Sequence, residues 1–435
     1  MQFNLNPGGA LTGTLRVPGD KSISHRAIML GALAQGTTRV RGFLEGEDAL
    51  ATVAAFRAMG VQIDGPADGE VTVHGVGLHG LRAPSAALDL GNAGTGMRLL
   101  CGLLAGQPFD SELTGDASLR SRPMGRVIDP LSAMGAQIES AAGGRPPLRI
   151  RGGRRLHGMH YELPMASAQV KSCVLLAGLY SEGETSVTEP APTRDHTERM
   201  LGGFGYALRR DGATVALRGG GELRACDIDV PADISSAAFF LVGASIAPGS
   251  DLTLQHVGIN PTRTGVINIL RQMGADITLD NEREVGGEPV ADLRVRHAPL
   301  HGIDIPLEQV PLAIDEFPVL FVAAACARGT TRLRGAQELR VKESDRIAAM
   351  AEGLATLGVD NQVLDDGIII EGATQLGGGE FRTFGDHRIA MSFAIAALRA
   401  SEPITVLDCQ HVATSFPGFV PLAARAGLAV AAADD

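Results

Sequence analysis

One local pattern returns six times along this 435-residue chain, and it restricts the fold more than any other feature. Each copy reads as a helix of small residues, a glycine-containing turn, a short strand, a polar loop, a second helix ending at glycine, and a further strand. In the first copy these are Ala27 to Leu33, Gln35-Gly-Thr-Thr-Arg-Val-Arg, Asp48 to Met59, Gly60, and Val61-Gln-Ile. The helix-ending glycines Gly60, Gly135, Gly205, Gly274, Gly358 and Gly427 stand 75, 70, 69, 84 and 69 residues apart. Glycine just past a helix is the residue that takes up a left-handed cap without steric cost. The repeat is longer than the roughly 20–50 residues of solenoid proteins. Six α/β units of near-equal size therefore group most economically as three plus three, in two similar domains.

Composition narrows what such a fold can do. Asp and Glu outnumber Lys and Arg by 49 to 38, a net charge of −11, which disfavours a sequence-independent grip on nucleic acid. No apolar run reaches the ~18–20 residues of a membrane span. The start lacks the features of a secretory signal, so a cytoplasmic protein is expected. The five cysteines (Cys101, Cys173, Cys226, Cys326, Cys409) lack CxxC spacing and mostly lie in apolar runs. They are expected to be buried thiols rather than zinc or redox centres.

The cations are more informative. Only three of the 38 basic residues are lysine: Lys21, Lys171 and Lys342. Where guanidinium would serve, this chain uses it, so a retained lysine points to a need for a compact, titratable charge. Lys21 lies in Pro18-Gly19-Asp20-Lys21-Ser22-Ile23-Ser24-His25-Arg26, which lacks the GxxxxGK[ST] spacing of a P-loop. It is a turn, a lysine, two hydroxyls and an arginine around a helix start, where free N–H groups favour an anion. Leu90-Gly-Asn-Ala-Gly-Thr-Gly-Met-Arg98 is a second glycine-rich helix entry, and Arg120 and Arg122 follow in the same unit. Ser167-Ala168-Gln169-Val170-Lys171 and Thr193-Arg194-Asp195-His196-Thr197-Glu198 open two more helices. In the second half, Ile314-Asp315-Glu316, Arg340-Val-Lys342-Glu343-Ser-Asp-Arg346 and Gly385-Asp-His-Arg388 repeat the theme. Polar clusters thus gather at helix N-termini, and a small, multiply anionic substrate is expected. Metal-ligand spacing and a GxSxG elbow are both missing.

Taken in order, Lys21-Ser-Ile-Ser-His-Arg26, Gly91-Asn-Ala-Gly-Thr95, Arg122-Pro-Met124, Ser167-Ala-Gln169, Asp315, Lys342-Glu-Ser-Asp-Arg346 and Asp386-His-Arg388 resemble the motifs of the 5-enolpyruvylshikimate-3-phosphate synthase family. The resemblance spans essentially the whole chain. It implies an α/β fold of two domains, each three βαβαββ units, with helix N-termini facing an interdomain cleft. The N-terminal strand (residues 1–19) would join residues 233–435 in one lobe, leaving 20–232 as the other. It implies transfer of the enolpyruvyl group of phosphoenolpyruvate to the 5-hydroxyl of shikimate 3-phosphate, with no cofactor or metal, by a monomer.

Carried over residue by residue, Lys21, Ser22, Arg26, Ser167, Ala168, Gln169, Arg194, Asp315 and Lys342 would bind shikimate 3-phosphate. Lys21, Gly94, Arg122, Gln169, Arg346 and Arg388 would bind phosphoenolpyruvate. Asp315, Glu343 and Lys21 would handle protons. Two departures stand out. Thr414 occupies a position before Ser415-Phe416-Pro417 where many members carry lysine, and Ala168 replaces a serine common in enterobacterial-type members. The latter resembles a branch that includes glyphosate-tolerant enzymes, yet Gly94 stands where that tolerance is associated with alanine, so a glyphosate-accepting site is expected. Two alternatives remain at this level: the sister enzyme acting on UDP-N-acetylglucosamine, and a non-catalytic repeat protein that binds anions.

Overall fold

The computed structural model describes residues 1–433. The chain separates into two compact units: Gly19–Val230, and Met1–Pro18 together with the chain from Pro231 onward. Each has its own apolar core. No helix among the described residues is long and apolar enough to cross a membrane.

Within Gly19–Val230 the same sheet is built three times. Strand Gln35–Arg41 pairs antiparallel with Glu70–Val76, which pairs antiparallel with Gln62–Ala67. Ser111–Thr114, Arg145–Arg151 and Gln137–Ala141 repeat this arrangement, as do Glu184–Thr188, Thr214–Arg218 and Leu208–Asp211. A fourth strand runs parallel along the open edge of each: Leu88–Asp89, His160–Glu162 and, closing the first sheet from the far end of the unit, Ile228–Asp229.

The other unit follows the same plan, with its first edge strand, Thr12–Leu15, drawn from the start of the chain to lie parallel on Asp251–Gly258. Gln2–Leu5 is likewise the middle strand between Ile404–Leu407 and Val430–Ala433. In the sheet Thr330–Leu333, Gly367–Glu371, Asn361–Leu364 the fourth strand is reduced to isolated parallel bridges, His301 with Arg328 and Asp304 with Arg332.

All six glycines singled out by their spacing have positive φ, from 77° at Gly358 to 116° at Gly427. In each copy the residue after glycine donates its N–H to the carbonyl five positions back, as Val61 does to Phe56 and Leu428 to Ala423. The glycine N–H donates three positions back, Gly60 to Arg57 and Gly427 to Ala424. This is the Schellman arrangement, whose left-handed residue carries no penalty only as glycine.

The small-residue helices explain themselves by burial. Lys21–Leu33, Gly94–Ala105 and Ala168–Gly178 form the centre of one unit, and Ile234–Ile246, Phe317–Ala325 and His387–Ala396 the centre of the other. Every residue of Ile234–Ile246 is buried, and a helix apolar on all sides must lie inside a core. Small side chains let such helices approach closely. A Cβ added at Gly102 would lie 2.2 Å from the carbonyl oxygen of Cys173 on the neighbouring central helix. Of the cysteines, Cys101, Cys173 and Cys409 are buried as expected. Cys226 and Cys326 are only partly so, which corrects the sequence expectation: Cys226 lies in the loop before an edge strand and Cys326 at a helix end.

Candidate active site

In Gly19–Val230 the starts of the three central helices are tied together by side chains. Asp20 caps the first by accepting from Ile23 N at 2.9 Å. The next residue, Lys21, extends its Nζ to Asp48 Oδ2 at 2.8 Å, on the first turn of the outer helix Glu47–Ala58. The second central helix starts at Gly94 behind Ala93, which supplies no side-chain cap; Gly94 N donates instead to the Asn92 carbonyl at 2.8 Å. The third starts behind Ser167, whose hydroxyl accepts from Val170 N. Gln169 links the second and third: its Oε1 accepts from Arg98 at 2.9 Å and its Nε2 donates to Thr95 Oγ1 at 2.8 Å.

Arg122 reaches this group by a route the sequence did not reveal. A short helix, Ala117–Ser121, ends at Arg122, so the side chain enters from a helix C-terminus rather than an N-terminus. Its guanidinium donates to Asn92 Oδ1 at 2.7 Å and to Ser118 Oγ at 3.2 Å. It borders Gly94 so closely that a Cβ there would lie 3.0 Å from Arg122 Nη1 and 3.1 Å from Arg98 Nη1. Arg26 is 3% exposed, donating to Thr197 Oγ1, Ser172 Oγ and the Ser22 carbonyl. Ser22, Ser167, Ala168, Gln169 and Arg194 are half-buried. His25 is fully buried, with Nδ1 2.7 Å from Thr52 Oγ1. Burial, with Lys21 and Arg26 adding positive charge nearby, pushes its pKa down from 6.5 to about 3, so the ring is neutral.

The other unit carries a different cluster at its helix starts. Arg346, 1% exposed, is the centre: its guanidinium donates to Asp386 Oδ2 at 2.8 Å, Glu343 Oε2 at 2.6 Å and Asp315 Oδ1 at 3.2 Å. Burial opposes the charge on this guanidinium, and Asp386, Glu343 and Asp315 more than offset it, pushing its pKa further up. Burial likewise opposes ionisation of Asp386, and Arg346 outweighs it, keeping that carboxyl below its usual range. Asp386 also caps the helix His387–Ala396 by accepting from Arg388 N, and Arg388 donates to the Asp315 carbonyl at 3.0 Å. Lys342 Nζ lies 3.5 Å from Asp315 and 2.8 Å from Glu338. A second knot joins the remaining starts: Arg263 donates to Asp233 and Ser235, and Ser235 Oγ donates to Glu316.

The residues singled out in sequence thus fall into two sets, each assembled within its own unit. Asp386 belongs with the second set, and its Gly-Asp-His-Arg context was a legible signal. Asp48 belongs with the first, and nothing in its surroundings announced it. Thr414 is buried at the end of a 3₁₀ turn, where its hydroxyl donates to the His411 carbonyl at 2.7 Å. Lys171, like Lys21 and Lys342, pairs with protein carboxylates: Glu189 at 3.0 Å and Glu198 at 2.8 Å.

The family model for EPSP synthase (3-phosphoshikimate 1-carboxyvinyltransferase) matches residues 5–422. The 3-phosphoshikimate 1-carboxyvinyltransferase of Alkalilimnicola ehrlichii is 71% identical over 434 residues, covering 100% of this chain and 97% of that protein. The crystal structure of EPSP synthase from Acinetobacter baumannii superposes with a TM-score of 0.90 at 60% identity, covering 100% of both chains. An enolpyruvyl transferase of Streptomyces tendae, 18% identical, shares the fold with a TM-score of 0.80 over 99% of this chain and 98% of its own.

Proposed function

Because this chain belongs to the EPSP synthase (3-phosphoshikimate 1-carboxyvinyltransferase) family, we propose that its two units contribute unlike halves of one reaction. The enzyme transfers the enolpyruvyl group of phosphoenolpyruvate to the 5-hydroxyl of shikimate 3-phosphate and releases phosphate. Gly19–Val230 supplies most of the anion anchors. Lys21, Ser22, Arg26, Ser167, the backbone of Ala168, Gln169 and Arg194 hold shikimate 3-phosphate, helped by Asp315 and Lys342. Lys21, Gly94, Arg122 and Gln169, with Arg346 and Arg388, hold phosphoenolpyruvate. Arginine forks suit its carboxylate and phosphate oxygens.

The chemistry is addition followed by elimination. C3 of phosphoenolpyruvate gains a proton, C2 becomes electrophilic, and the 5-hydroxyl attacks it while losing its own proton. The adduct then expels phosphate as a proton leaves C3, restoring the double bond. Such a sequence needs an acid and a base within hydrogen-bond reach of the reactants. Asp315 takes the hydroxyl proton, and Glu343 with Lys21 manages the proton at C3. One observation carries this reading: a single buried guanidinium, Arg346, is hydrogen-bonded at once to Asp315 and Glu343. It fixes the two carboxylates within one side chain's span.

The reading requires both sets of side chains to act on the same reactant pair. With every proposed group on one chain, the reading is of a monomer, acting in the cytoplasm. Phosphate release from phosphoenolpyruvate should depend on added shikimate 3-phosphate, and Asp315→Ala should slow it by about 10²–10⁴-fold. Full turnover by Asp315→Ala, or release triggered instead by UDP-N-acetylglucosamine, would overturn the assignment.

A further inference from the structure

Lys171 takes no part in the reaction just described, yet it is 1% exposed and lies one turn beyond Ser167, Ala168 and Gln169 on the same helix. Its Nζ bridges two carboxylates that bracket one loop. Glu189 follows the strand Glu184–Thr188, and Glu198 lies on the first turn of the helix His196–Gly203. The loop between them carries Arg194. Glu189 Oε2 receives three donors: Lys171 Nζ at 3.0 Å, Thr193 N at 3.1 Å and Thr193 Oγ1 at 2.6 Å. The residue immediately before Arg194 is therefore pinned by both its main chain and its side chain. On the other side, Asp195 pairs with Arg199 at 2.9 Å and with Arg210 at 3.6 Å. Beside these in sequence, Thr197 Oγ1 donates to Ser172 Oγ at 2.7 Å, and both hydroxyls receive Arg26.

We propose that Lys171 is a positioning residue for shikimate 3-phosphate: clamped between Glu189 and Glu198, it locks the Arg194 loop to the helix that begins at Ala168. This rests on the reading in which Arg194 meets the 3-phosphate. A compact ammonium with three donors can serve two carboxylates from a fully enclosed site, whereas the planar guanidinium needs a wider slot. That accounts for lysine here in a chain that otherwise favours arginine. A buried ion cluster is weak evidence for stability, since a well-packed apolar substitute often does as well. What singles this one out is that both carboxylates sit at the ends of a loop bearing a proposed ligand contact. A rigid support of this kind keeps a binding group in its productive geometry before ligand arrives.

The test is a double-mutant cycle. Thr193→Val, which deletes one bond to Glu189, should raise KM for shikimate 3-phosphate about five- to tenfold and leave kcat and KM for phosphoenolpyruvate within about twofold. Thr193→Ser should restore the wild-type value. Lys171→Met should act in the same direction and more strongly. In an Arg194→Ala background Thr193→Val should add nothing, because both act through one side chain. Arg194→Ala with unchanged KM would reject the Arg194 reading itself. If Arg194→Ala does raise KM, but Thr193→Val is silent, raises both KM values alike, or adds its full effect to that of Arg194→Ala, the clamp is rejected. Should Lys171→Met fail to fold, the threonine variants decide.

Discussion

The two units build the same object, three buried helices with their N-termini served by polar side chains, and equip it in opposite ways. In Gly19–Val230 two of the three central helices begin behind neutral residues, Ala93 and Ser167, and cations or amides stand beside them. In the other unit all three begin behind acids: Asp233, Glu316 and Asp386. A helix start attracts negative charge wherever it occurs. What differs is the source of that charge. At Asp233 and Asp386 the carboxylate accepts from the first turn of its own helix and pairs with an arginine, Arg263 and Arg346. Where no carboxylate is supplied, neutral groups serve the start: the Ser167 hydroxyl accepts from Val170 N and the Asn92 carbonyl from Gly94 N. Repetition of one scaffold thus carries a cation- and amide-rich set in one unit and an arginine–carboxylate set in the other, by changing the residues at a few helix starts.

The strongest way to break this contrast is to remove the cation that keeps the acidic set together. Arg346→Met would leave Asp315, Glu343 and Asp386 without the guanidinium they share and should cost about 3–5 kcal/mol of stability. Thermal melting reads this directly. A fall in Tm no larger than that of Arg122→Met, its counterpart in the other unit, would mean that the acidic set is not distinct.

Acid offers a gentler separation. His25 has a folded pKa of about 3 against 6.5 in the unfolded chain. As pH falls below 6.5 the unfolded state takes up a proton that the folded state refuses, so stability falls with pH, by up to about 1.4 kcal/mol per unit. Asp386, held below the ordinary carboxylate range, contributes stability that is present above its unfolded pKa and disappears only as pH drops through its lowered value. Between pH 6.5 and 5 the decline should therefore come chiefly from His25 in Gly19–Val230, since His297 in the other unit, also shifted down, is less deeply buried. Replacing His25 by Asn should flatten the melting temperature against pH over that range; parallel curves for the two proteins would refute it.

The smallest effect sharpens the picture of the cation-rich set. Gly94→Ala places a methyl 3.0 Å from Arg122 Nη1 and 3.1 Å from Arg98 Nη1, so both guanidinium groups must yield by a few tenths of an ångström. Glyphosate binding should weaken more than phosphoenolpyruvate binding, by about tenfold against about twofold, because the substrate tolerates the small shift better. Inhibition curves against KM for phosphoenolpyruvate measure the ratio; equal losses for both ligands would show that the added methyl does not discriminate.

Much of this was legible before any coordinates. The capping glycines could be found by spacing because a Schellman cap is closed by hydrogen bonds reaching only five residues back. The clusters around Lys21, Gly94, Asp315 and Lys342 were visible because helix starts announce themselves by local residue type. Arg122 was legible as a candidate but not its approach, since the short helix Ala117–Ser121 has no strong periodicity over five residues. The lysine argument marked three positions but not their partners, because the carboxylates around Lys171 stand 18 and 27 residues further along the chain and Asp48 stands 27 beyond Lys21.

What the sequence determined by itself is everything that a few neighbouring residues can enforce: six helix–strand units, their glycine caps, and the placing of polar groups at helix starts. Tertiary structure alone decided which charge each of those groups would meet. Lys21 found Asp48, Arg346 found Asp386 40 residues away, and Arg388 found the carbonyl of Asp315 across 73. The physical reason is range: caps and periodicity arise from bonds within one or two turns, whereas an ion pair forms between whichever charges the packed helices bring within about 4 Å.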